Sequence, residues 1–104
     1  FHKHAKTSCG GCQIHVLDRQ LFRAVETGVA LVSAFRAQAS DRGRFEWRQP
    51  PYEYEHEKLP IDILAGSADL REQIEAGVPA RSIARSWETG VARFMKVREE
   101  FLTY

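Results

Sequence analysis

Apolar residues recur at three- and four-residue intervals through Phe22, Val25, Val29, Val32 and Phe35, and Leu21, Ala30, Leu31 and Ala34 broaden the stripe. That spacing puts them on one side of a helix. It predicts an amphipathic helix from about Arg23 to Gln38 with one face committed to a core, ended by Ser40-Asp41-Arg42-Gly43. Gly28 inside the pattern costs up to about 1 kcal/mol relative to alanine, so it is expected to mark a close approach by another backbone or side chain. In a chain of 104 residues, 43% of them hydrophobic, such a helix implies one domain over residues 1–104. A chain of this size buries roughly two thirds of its unfolded surface without staples.

Ahead of the helix, Phe1 to Ser8 lacks periodicity and reads as a lead-in to Cys9-Gly10-Gly11-Cys12. Ile14 and Val16 then alternate with Gln13, His15 and Leu17, the period-two pattern of a half-buried strand. Asp18 suits a turn or cap between that strand and the helix. Beyond the helix, Phe45 and Trp47 alternate with Arg44, Glu46 and Arg48 as a second short strand, which Pro50-Pro51 breaks. Tyr52-Glu53-Tyr54-Glu55-His56-Glu57 alternates again and reads either as a third strand or as an ordered loop.

Pro60 opens a short segment, Ile61 to Leu64, that ends at Ala65-Gly66-Ser67. Ser67 can cap a short helix whose face is Leu70, Ile74 and Val78, with Gly77 as its stop. Pro79 suits the first turn of a last long helix, whose stripe is Ile83, Trp87, Val91, Phe94, Met95, Arg98, Phe101 and Leu102. The composite is an α+β fold, a small mostly antiparallel sheet packed against two long helices and one short helix.

Charge excludes some functions. Fifteen Lys and Arg stand against 14 Asp and Glu, so there is no general pull toward nucleic acid or an anionic membrane. No apolar run approaches the roughly 20 residues that span a bilayer. The chain begins at Phe1 without Met or a signal-like segment, the start expected of a piece excised or processed from a longer protein.

Several groups can carry chemistry. Cys9-x-x-Cys12 is open to three uses, a redox pair, half a zinc site completed through His15, or a disulfide. The plain alternative is two small residues flanking a glycine turn. A thioredoxin-like pair acts from a helix N-terminus, whereas this one precedes a predicted strand, and no second C-x-x-C or H-x₃-H element completes a zinc site. His15 can hydrogen-bond a ligand from the polar face of its strand or remain a surface residue. Glu53, Glu55 and Glu57, if extended, stand about 6–7 Å apart on one face, a spacing within glycosidase carboxylate separations and equally that of a solvated face. Asp62, between apolar neighbours and just before Gly66-Ser67, either accepts local backbone hydrogen bonds or faces a cleft.

Cys9-Gly10-Gly11, Gln13-Ile14-His15-Val16, Asp18-Arg19, Phe22 and Thr27-Gly28-Val29-Ala30-Leu31 resemble the C-terminal part of the bacterial exo-β-N-acetylmuramidase (NamZ-type) family. Phe45-Glu46-Trp47-Arg48, Tyr52-Glu53-Tyr54-Glu55, Ile61-Asp62, Gly66-Ser67, Ser86-Trp87, Phe94, Arg98, Leu102 and Tyr104 continue the resemblance in order over nearly the whole chain. Cys12 and Leu17 depart from it, standing where a small aliphatic residue and a threonine are expected. The resemblance implies a two-domain peptidoglycan glycosidase that releases terminal N-acetylmuramic acid from muropeptides. A larger Rossmann-like N-terminal domain would carry most of the acidic catalytic groups, with the cleft between the domains. It further implies that this chain alone is inactive, needs no cofactor, and supplies a cleft wall through Gln13, His15, Tyr54, Glu55 and Asp62. Its partners would be the N-terminal domain and the muropeptide sugar. The family suggests an exported or cell-envelope location, with the cytoplasm open. Two other classes stand beside this reading: a packing or oligomerisation module without catalysis, and a small metal-binding module built on Cys9, Cys12 and His15.

Overall fold

The computed structural model describes residues 4–40 and 43–103. Phe1, His2 and Lys3 of the lead-in, Asp41 and Arg42 of the first helix stop, and Tyr104 lie outside the described residues. Those described form five helices: α1 (Ala24–Ser40), α2 (Pro60–Ala65), α3 (Asp69–Glu75), α4 (Ala80–Ser86) and α5 (Glu88–Glu99). The expected sheet is absent among them. The one β-type pairing is an isolated bridge between Tyr52 and Glu55, so the fold is helical rather than α+β.

The helices follow their sequence signals closely. Asp18 caps the turn before α1, its Oδ1 accepting the amides of Gln20 at 2.8 Å and Leu21 at 3.2 Å. Gly43 and Arg44 close the end of α1 by donating back to the carbonyls of Ser40 and Ala39. Gly77 and Val78 do the same at the end of α3 toward Ile74 and Gln73. Both glycines have positive φ, +63° and +72°, the left-handed conformation this helix-ending motif requires. The amide of Asp69 reaches Ser67 Oγ at 3.3 Å, but the residue at the cap position of α3 is Ala68, not the serine expected there. Two further details differ. A Cβ on Gly28 would meet nothing within 4 Å, so no neighbour explains that glycine. The last long helix divides at Trp87, whose amide bonds back to Ala84 and begins α5 from a tighter turn.

The core is small and sits where α1, α3 and α4 meet. Val29, Ile74 and Ile83 are buried, and Val32, Trp47, Leu70, Val78, Ala80 and Trp87 pack around them. α1 lies mainly on α4, α2 on α3, and α5 touches the rest through α4. The radius of gyration is 16.9 Å, against about 13 Å for a compact chain of this length.

A period-two pattern becomes a strand only when another strand takes its backbone hydrogen bonds. Among the described residues nothing pairs with the run from Gln13 to Leu17, and Ile14 and Val16 remain 52% and 44% exposed. Phe45 and Trp47 do face the molecule together, their rings edge to face at 4.8 Å, but without a ladder. In the third run the alternation is lost altogether. Tyr52 and Glu55 exchange backbone bonds at 2.9 and 3.0 Å across a tight turn with Glu53 at φ +54°. Glu53, Glu55 and Glu57 therefore do not form one carboxylate face.

Candidate functional site

Polar groups converge where the turn after Tyr52 meets the α2–α3 junction. Glu55, Lys58, Asp62, Ile63, Gly66, Ser67 and Ala68 line a concavity of about 420 Å³. Each wall has a local cause. Glu55 Oε1 accepts the amides of Glu57 at 2.8 Å and Lys58 at 3.3 Å, which folds the chain back and brings Lys58 toward α2. Those amides, the Glu57 one foremost, hold the Glu55 carboxyl below its ordinary range. Gly66 and Ser67 then turn the chain so that α3 runs back beside α2.

That reversal brings Arg71 of α3 against Asp62 of α2. Arg71 Nε donates to both carboxylate oxygens, at 2.9 and 3.1 Å, and both side chains are largely buried. The same guanidinium reaches Glu75 at 3.2 Å and Glu72 at 3.7 Å, and the Asp62 hydrogen bond is the main reason its pKa is raised. Glu75 in turn accepts Trp47 Nε1 at 2.7 Å. Trp47, Glu75, Arg71 and Asp62 thus form a continuous chain from the core edge to the wall of the concavity. A carboxylate clamped by both oxygens keeps its orientation. Asp62 takes a side-chain donor rather than the local backbone amides expected as one of its two uses, and it borders the concavity.

On the other side of α2 lies a larger groove of about 820 Å³, lined mainly by Val25, Ile61, Leu64, Leu70 and Trp87, with Gln73 and Ser67 among its polar members. Ser67 borders both hollows.

Of the five residues expected at a site, Glu55 and Asp62 share the smaller concavity. Tyr54 is the neighbour of Glu55 but stands 96% exposed and outside that lining. Gln13 and His15 are exposed on the irregular segment before α1 and do not line it either. Cys9 and Cys12 are free thiols, both exposed. Among the described residues no three His, Cys, Asp or Glu side chains gather to hold a metal ion, so Cys9, Cys12 and His15 are not assembled into one centre. Lys58 and Arg71 were not anticipated. Lys58 carries no spacing signal, and Arg71 could be linked to Asp62 only by knowing that the chain reverses at Gly66-Ser67.

Comparison with known proteins bears on what this surface serves. A family profile described as the C-terminal part of the exo-β-N-acetylmuramidase NamZ matches residues 1–104. The peptidoglycan β-N-acetylmuramidase NamZ of Bacillus subtilis (strain 168) is 32% identical over 107 aligned positions, covering all of this chain and 23% of the relative. The chain thus spans about a quarter of that relative's length. No solved structure gives a significant match.

Proposed function

Because this chain belongs to the exo-β-N-acetylmuramidase NamZ family as its C-terminal domain, we propose that it forms one wall of a sugar-binding cleft in a longer peptidoglycan glycosidase. The parent releases terminal N-acetylmuramic acid from muropeptides. Its Rossmann-like N-terminal domain supplies the opposite wall and most of the acidic catalytic groups. The observation that carries this reading is the convergence of Glu55, Lys58 and Asp62 on one concavity, with Asp62 clamped by Arg71.

Cleaving a glycosidic bond needs an acid to protonate the leaving oxygen and a second group to deliver or stabilise the incoming one. This wall does other work. Asp62 can accept hydrogen bonds from sugar hydroxyls without giving up its orientation, since Arg71 already fixes it. The Lys58 ammonium matches the carboxylate of the lactyl substituent that distinguishes muramic acid from other amino sugars. Gln13, His15 and Tyr54 lie outside this hollow and join the site only if the opposite domain extends the cleft toward them.

The test is turnover of a chromogenic N-acetylmuramic acid β-glycoside by the full-length parent, by this chain alone, and by parent variants Asp62→Asn, Lys58→Ala and His15→Ala. The parent is expected to turn over and this chain alone to be inactive. Asp62→Asn and Lys58→Ala should lower kcat/KM by about tenfold or more, the order associated with lost substrate positioning. Wild-type kinetics in both would remove this hollow from the site, and an inactive parent would remove the function.

A further inference from the structure

α5 is a twelve-residue helix that buries none of its residues, yet it carries an apolar stripe. Val91, Phe94 and Met95 lie on one side with Phe101 and Leu102 just beyond and Arg98 among them, while Arg93, Lys96 and Glu100 lie on the other. At 3.6 residues per turn this stripe continues the face that Ile83 and Trp87 bury in the core. After Trp87 the core ends and the stripe goes on. Phe94 remains 62% exposed, Phe101 76% and Val91 55%. Aromatic side chains bury about 150–250 Å² each, so the two phenyl rings alone leave on the order of 250 Å² of apolar surface in water. With Val91, Met95 and Leu102 the patch approaches the lower end of interfaces between domains, about 600 Å². A helix of this length is marginal in water without tertiary support.

We propose that the Val91, Phe94, Met95 and Phe101 face of α5 is the docking surface for the region that precedes this domain in the parent polypeptide. Two observations select that occupant. The chain covers only 23% of the Bacillus subtilis relative, and the family profile places it at the C-terminal end, so a body roughly three times its size is available in cis. The charges flanking the stripe argue against a second copy. Glu88 and Glu99 border the same edge of the face, and an antiparallel self-pair centred near Phe94 would set each Glu88 against the partner's Glu99. Like charges so placed work against association. A preceding region carries no such symmetry constraint.

This inference rests on the reading of the parent as a longer two-domain protein but not on its activity. The experiment places the photo-crosslinker p-benzoylphenylalanine at position 94 in place of Phe94 in the full-length parent and maps the adducts by peptide mass spectrometry. Adducts within single chains to the region before this domain are expected. Adducts between chains, adducts confined to this domain, or none would overturn the proposal. A second measurement follows amide exchange across residues 88–99 in the parent and in a Phe94→Glu/Phe101→Glu variant, where exchange should accelerate at least tenfold. Equal exchange rates would also overturn it. Turnover recorded on the same parent separates the two readings. Activity without the expected adducts removes this docking surface alone, and the adducts without activity remove the muramidase function alone.

Discussion

Among the described residues Ile83 is the one large side chain with no exposed surface, and it lies where α4 meets α1 and α3. Ile83→Ala removes three carbon groups, worth about 2.4 kcal/mol at about 0.8 kcal/mol each. Incomplete collapse of the cavity raises the total to about 3–4 kcal/mol. Ile83→Val removes one group and should cost about 1 kcal/mol. A domain of this length has a total stability of about 5–15 kcal/mol, and a core with three buried residues places this chain toward the lower end. The alanine change should therefore remove half or more of the stability, while Val91→Ala on the exposed face of α5 should cost less than about 0.5 kcal/mol. Urea unfolding of this chain, followed by tryptophan fluorescence, reads the difference directly. With a slope of about 1.5 kcal/mol per molar, the alanine variant should unfold about 2 M earlier and the valine variant less than 1 M earlier. If Ile83→Ala and Val91→Ala shift the midpoint equally, the α1, α3 and α4 junction is not what holds the chain together.

Gly28→Ala should stabilise α1 by about 0.5–1 kcal/mol in the same urea assay, because its Cβ enters open space inside a helix. Arg71→Lys keeps the charge but has one nitrogen where Arg71 uses Nε for Asp62 and its terminal nitrogens for Glu72 and Glu75, so parent kcat/KM should fall by about tenfold with the urea midpoint of the variant tracking separately. Glu55 has a folded-state pKa below its unfolded value. Its contribution is therefore complete above the ordinary glutamate range and lost as pH falls through the lowered value. Glu55→Gln should flatten the acid limb of a midpoint-against-pH series, and an unchanged limb would show that the turn amides do not matter. Cys9 and Cys12, both exposed, should react with a thiol reagent at two equivalents per native chain, and a slow or substoichiometric reaction would contradict their exposure.

The helices were legible because their signals are local. The three-and-four spacing from Phe22 to Phe35, the stops at Gly43 and Gly77, and the Asp18 turn each depend on residues within one or two turns, and each appears in the structure. The expected sheet did not form among the described residues because a strand is a relation between segments. Ile14 and Val16 alternate correctly, and Phe45 and Trp47 do present one apolar side, but alternation specifies a face and says nothing about a neighbour for the backbone. The run from Tyr52 to Glu57 shows the same limit from within. Its alternation is as regular as a strand's, yet two backbone bonds between Tyr52 and Glu55 fold it into a turn, and Glu55 turns its carboxylate to the amides of Glu57 and Lys58.

The site divides along the same line. Asp62 stood out as a carboxylate between apolar residues, and it finds a side-chain partner instead of local backbone amides. The partner, Arg71, is nine positions away and one of many arginines on predicted helix surfaces. Only the reversal at Gly66-Ser67 selects it. Once that reversal is fixed, the rest follows by geometry: four residues after Arg71, Glu75 lies one turn along α3 and meets the same guanidinium, and Trp47 can reach it from the core edge. The hollow beside Asp62 is thus positioned by the same few contacts that hold α2 on α3. Loosening that pair should open the hollow before it unfolds α1 and α4, whose shared core is centred on Val29 and Ile83.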